Sequence, residues 1–151
     1  MSVAQVILCE RTGIWATVLR GQLSPEVHLV QPGDLATAES MATVECLLAA
    51  RPGSVVALAL TKSNRAAVLK IVCRLNAQYP RACTIILAES AMASWELLFR
   101  EAGAVHFCAS PRDVSGISQT LENHFRRQPS PTTDLAQSIW DELPWRDAAT
   151  A

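Results

Sequence analysis

An open, parallel α/β sheet is the architecture this sequence predicts, on three observations. Five short apolar runs alternate with five stretches whose apolar residues recur at helical spacing. The runs are apolar at successive positions rather than alternate ones, as in strands covered on both faces. Hydrophobic residues make up 50% of the 151, enough for one domain with a substantial core. Crossovers of one hand would then put helices on both sides of the sheet, a three-layer sandwich.

Val3 to Cys9, apolar except for Gln5, predicts the first strand. Ile14, Trp15, Val18 and Leu19 form a short helical stripe that ends near Gly21. Glu26 to Gln31, with Val27, Leu29 and Val30, is a less apolar strand suited to an edge. Pro32-Gly33 turns the chain, and Asp34 is placed to cap a helix carrying Leu35, Ala38, Met41, Val44 and Leu48. Arg51-Pro52-Gly53 ends it. Val55 to Leu60 is the most apolar run and predicts the central strand. Ser63 or Asn64 opens a helix with Val68, Leu69, Val72 and Leu75 inward, stopping before Pro80. Cys83 to Ala88 predicts a fourth strand. Ser90 then begins a helix with Trp95, Leu98, Phe99 and Ala102 at i, i+3, i+4 and i+7.

The stretch from Gly103 to Pro111 closes the pattern. Gly103 can end a helix at positive φ without steric cost. A fifth strand, Ala104 to Ala109, follows at once. Ser110-Pro111-Arg112-Asp113 has the form of a helix start, with Ser110 as N-cap, Pro111 at the first position and Asp113 in the first turn. The last helix carries Val114, Ile117, Leu121 and Phe125 on one side. This segment resembles the end of the bacterial response-regulator receiver domain, the CheY-like fold, where Gly-Ala leads into the last strand and Lys-Pro follows it. By element order the resemblance covers about residues 3–127. It implies the flavodoxin-like strand order 2-1-3-4-5; periodicity alone gives only the alternation.

In a receiver, acidic residues after the first strand hold Mg²⁺ and an Asp after the third accepts phosphate. A Ser or Thr after the fourth and a Lys after the fifth bind the phosphoryl oxygens. The resemblance lays these positions on Cys9 and Glu10, Ala59, Ala88 and Ser110. Of these only Glu10 keeps a cation ligand, and an alanine cannot form an acyl phosphate. The chain therefore resembles a degenerate receiver, a pseudo-receiver, with phosphorylation-independent signalling as the expectation.

Other chemistry is weaker. Cys9 stands where cysteine phosphocarriers of similar fold keep a nucleophile, but Glu10 directly after it would raise the thiol pKa and repel phosphate. A Cys-x₅-Arg phosphatase loop is absent because Trp15 stands where its Arg would be. His28, His106 and His124 are dispersed, better read as core or surface residues than as metal ligands. Neither Gly-x-Gly-x-x-Gly nor Gly-x-x-x-x-Gly-Lys-Ser/Thr occurs. Glu10 and Glu89 could approach at the strand ends, where two solvated carboxylates are the simpler reading. No catalytic residue, metal or cofactor is expected.

The formal net charge of −1 and pI near 6.3 give no basic field for nucleic acid or anionic membrane. No apolar run reaches the roughly 18 residues of a membrane span, and no leader pattern opens the chain. Five cysteines at 9, 46, 73, 83 and 108, without a Cys-x-x-Cys pair, fit reduced thiols in a cytoplasm. The domain is expected to end at 127. Residues 128–151 then form a Pro-containing linker and a short amphipathic tail with Leu135, Ile139, Trp140 and Leu143 toward one side, then Trp145. Ten residues do not hold a helix in water unaided, so this tail is expected to dock, to be disordered, or to do both in turn, with a partner protein, its own domain or a second copy as the docking groove. Trp95, otherwise core, is a further candidate for partner binding. The leading expectation is a non-enzymatic signalling or scaffolding module that binds proteins. The alternative is a small-ligand sensor using the crevice at the strand ends.

Overall fold

The computed structural model describes residues 4–34 and 37–128. Val3, Leu35, the linker after Gln128 and the tail positions Leu135, Ile139, Trp140, Leu143 and Trp145 lie outside the described residues. In chain order the elements are β1 (Gln5–Cys9), α1 (Ile14–Gln22), β2 (His28–Val30), α2 (Ala38–Ala50), β3 (Val55–Leu60) and α3 (Arg65–Gln78). There follow β4 (Cys83–Ala88), a 3₁₀ segment (Ser90–Trp95), α4 (Glu96–Ala102), β5 (His106–Cys108) and α5 (Ser115–Arg126). All strand pairs are parallel, and the sheet order is β2-β1-β3-β4-β5, the CheY-like flavodoxin arrangement.

Successive strand residues point to opposite faces, and each face has its own core. Ile7, Val56, Leu58 and Ile86 meet Val44 and Leu48 of α2, Val68, Val72 and Leu75 of α3, and Phe99 of α4. Val6, Leu8, Val55, Ile85 and Leu87 meet Trp15 and Leu19 of α1 and Ile117 and Leu121 of α5. This two-sided burial is why β1, β3 and β4 are apolar at successive positions, Gln5 and Thr84 excepted. An ion pair between Arg74 and Glu45 joins α3 to α2. At the amino edge the Ser54 hydroxyl lies 3.0 Å from Gln5 Oε1 and 2.7 Å from the Arg51 carbonyl, two acceptors that share its one proton beside the polar residue of β1.

Two expected helix starts are corrected. Asp34 does not cap α2: Thr37 does, its Oγ1 accepting from the Ser40 amide at 3.2 Å. Ser110 does not cap α5, which begins at Ser115 after Val114. The Ser110 carbonyl accepts from the Asp113 amide at 3.1 Å and Ser110 Oγ from the Arg112 amide at 3.2 Å. Pro111 is thus the second residue of a turn, for which its fixed φ is equally suited. The Cys108 thiol, 3.0 Å from the Ser110 carbonyl and 3.2 Å from that of Asp113, holds the turn to the strand end. The fifth strand is also shorter than Ala104 to Ala109. Val105 donates to the Thr84 carbonyl at 2.9 Å but is 54% exposed. Gly103 ends α4 at φ +121°, and a Cβ there would collide with the Asn76 side chain.

Candidate functional site

In an order-2-1-3-4-5 sheet the connections from β1 and β3 leave toward opposite faces, which opens a crevice beyond their carboxyl ends. A cleft of 470 Å³ lies there, lined at its floor by Cys9, Glu10 and Ala59–Thr61 and on one wall by Ala67, Val68 and Ile71 of α3. Arg11, Thr12, Ile14, Asp34, Ser63 and Glu89 border it.

Glu10 is engaged within the fold. Its Oε2 accepts from the Trp15 amide at 2.9 Å and its Oε1 from the Ala16 amide at 2.7 Å. Both are orphan donors of the first turn of α1, whose N-cap, Gly13 at φ +80°, has no side chain to offer. A carboxylate at this end also meets the positive pole of the helix. Beside it Cys9 is 2% exposed, and burial, reinforced by the Asp34 carboxylate, pushes its thiol up to about 12. The thiol is therefore protonated and unreactive at neutral pH. The raised value matches the sequence reading in direction, but burial and Asp34 cause it, not Glu10. After β3, Asn64 Oδ1 accepts from the Thr61 amide at 2.7 Å, and its Nδ2 donates to the Ala59 carbonyl at 3.0 Å. Asn64 occupies the N-cap position of α3 but spends its side chain on this loop rather than on the helix.

The cleft therefore unites Cys9, Glu10 and Ala59 of the receiver-like positions. Ala88 is fully buried at the end of β4, and Ser110 is half-buried in the turn after β5. Neither lines the cleft. Glu89 borders it and is exposed. Asp34, Asn64 and the α3 wall are missed by sequence reasoning. The strand order, which puts β2 beside β1, is the one signal that could have brought Asp34 here. Among the described residues no group of three or more His, Cys, Asp or Glu is arranged to hold a metal ion. His28 is exposed, His106 lies in β5, and His124 Nε2 is 2.8 Å from the Gly53 carbonyl, so the three do not converge.

A second feature lies on the opposite side of α3. The Trp95, Leu98, Phe99, Ala102 stripe is only partly core: Phe99 is fully buried, Trp95 and Ala102 are half-buried, and Leu98 is 39% exposed. The Arg65 guanidinium carbon sits 4.9 Å from the Trp95 ring centroid. Leu97 is 69% exposed, so three of the four exposed large apolar residues described fall between 97 and 105.

Among the described residues no helix is long and apolar enough to cross a membrane. No family model matches the chain, and no curated protein matches it. Among solved structures the chain is similar to a CheY-like protein, TadZ, from Pseudomonas aeruginosa. The TM-score is 0.65 at 20% sequence identity, over 86% of this chain and 98% of that one. At that identity the likeness establishes a shared receiver-like fold.

Proposed function

We propose that this chain is a pseudo-receiver: a non-enzymatic, cytoplasmic signalling or scaffolding module that binds other proteins without passing through an aspartyl phosphate. The observation that carries the reading is the side-chain set at the strand ends. Ala59 stands at the acceptor position, Ala88 and Ser110 stand where phosphoryl-binding groups would be, and the Glu10 carboxylate is bonded to two amides of α1. A receiver-like fold without an acceptor keeps its surfaces for recognition. The exposed apolar residues of α4 and the tail residues Leu135, Ile139, Trp140, Leu143 and Trp145, with Trp95, are the partner-binding candidates. Tryptophans seated in pockets dominate protein–protein binding energy. Incubation with a small-molecule phosphodonor and Mg²⁺, followed by intact-mass measurement, should give no labile adduct. An adduct lost on mild base treatment would refute the proposal. Ala59→Asp alone should not restore transfer, since the groups that stabilise the phosphoryl oxygens are still missing.

The 470 Å³ cleft supports a second reading, a small-ligand sensor, since its volume and its mixed apolar and polar lining suit a small molecule. Thermal unfolding against a metabolite panel separates the two. A stabilising ligand whose effect is removed by Ala67→Trp favours the sensor.

A further inference from the structure

We infer that the α3–α4 surface formed by Arg65, Trp95 and Leu98 is a docking site for this chain's own segment 134–145, bound in cis with Trp140 against Trp95 and Leu98. The surface offers two chemistries side by side. Leu97 and Leu98 are 69% and 39% exposed on a seven-residue helix, next to the half-buried Trp95 ring. Arg65, held over that ring, has no carboxylate partner among the described residues. The complement of an aromatic-aliphatic surface edged by a lone guanidinium is an aromatic residue flanked by carboxylates.

Residues 139–143, Ile-Trp-Asp-Glu-Leu, have that composition, with Leu135 one helical turn before Ile139. The charge balance agrees. Residues 1–128 carry 12 Lys and Arg against 10 Asp and Glu, whereas 129–151 carry Arg146 against Asp134, Asp141, Glu142 and Asp147. The tether is long enough. Gln128 follows α5 at the amino edge of the sheet, where its side chain fills the space a Cβ on Gly53 would need. Six residues, 129–134, span at most about 20 Å, and a helical 135–140 adds about 9 Å. Because α4 and α5 both flank the edge strand β5, the path runs round that edge rather than across the domain, and an extended tether of this length brings Trp140 to α4. A tether that runs nearly extended gives an effective concentration below the millimolar optimum of a matched linker, but one that does not fall on dilution, which favours the cis contact over a second copy in dilute solution.

The contact stands independently of the protein-binding reading. Only its consequence, that a partner using this surface must displace the tail, rests on it. Hydrogen exchange of the full-length chain tests the contact with no partner present. In Trp140→Ser, amides of 95–102 and of the first turn of α3 should exchange several-fold faster than in the wild type. Those of β1, β3 and β4 should stay unchanged, and the difference should be the same at low and high protein concentration. Arg65→Glu should reproduce the effect, and adding Asp141→Arg and Glu142→Arg should reverse it. Unchanged exchange over 95–102 in Trp140→Ser would overturn the proposal. So would a difference confined to high concentration, which would assign the surface to a second copy, or a difference mapping to the strand-end cleft.

Discussion

Glu10 follows the first strand where the receiver resemblance reads an acid for a cation, yet its two oxygens close the first turn of α1. Thr37 does the corresponding work for α2 through one oxygen. Glu10→Ala and Thr37→Ala should each cost about 1 kcal/mol in urea unfolding. Ser110→Ala, which loses only a bond within an exposed turn, should cost no more than about 0.5 kcal/mol. Equal losses in all three would mean that Ser110 is a helix cap after all. His106 sets a pH dependence of its own. Burial and then the Arg100 guanidinium hold its imidazole below the ordinary value, against the opposing influence of Asp113 and Glu96. The unfolded chain then binds this proton more readily than the folded one. The contribution is full above the unfolded pKa of about 6.5 and is lost as pH falls through the folded value. Between about pH 7.5 and about pH 5, His106→Gln should therefore lose less stability than the wild type. Parallel losses in the two proteins would remove His106 from the account.

α4 shows the limit of periodicity as a guide to burial. The spacing of Trp95, Leu98, Phe99 and Ala102 is helical, but Trp95 ends a 3₁₀ segment and α4 proper has only seven residues. A helix this short, lying between α3 and the edge strand β5, seats one large side chain fully, and that is Phe99, whose ring centroid is 6.1 Å from that of Phe107. Phe99→Ala should cost about 3–5 kcal/mol by leaving a cavity in the core. In a Trp140→Ser background, where the tail does not cover it, Leu98→Ala should cost under about 1 kcal/mol, because much of that side chain then meets water. Urea titrations of the two variants check the ranking. A loss in that background as large as that of Phe99→Ala would mean that Leu98 belongs to the core. β3 and β4 behave in the opposite way: Val55–Leu60 and Cys83–Ala88 are bounded as their sequences predict. A central parallel strand is covered on both faces, and the carboxyl ends of these two are marked by polar residues, Thr61 after β3 and Glu89 after β4.

At the scale of the whole molecule, the sequence by itself determined the class: five strands, five helices, one sheet covered on both sides, and an alanine at residue 59. Those follow from local chemistry, since burial on two faces demands continuous apolar runs and each helix needs one apolar stripe. The strand order came through resemblance, because a run of valines and leucines carries no record of its neighbours. Only the tertiary structure decided what the site residues do. Glu10 caps α1 because the chain turns at Gly13 and brings the amides of residues 15 and 16 back over the strand end. Asp34 acts on Cys9 because β2 lies beside β1. Ser110 is a turn residue because the Cys108 thiol and the Asp113 amide hold its carbonyl before the helix can start. In each case the partner is set by how the chain turns between elements or by which strands adjoin. Carboxylates, hydroxyls and thiols bond to whatever the fold brings within about 3 Å, and sequence spacing does not encode that distance.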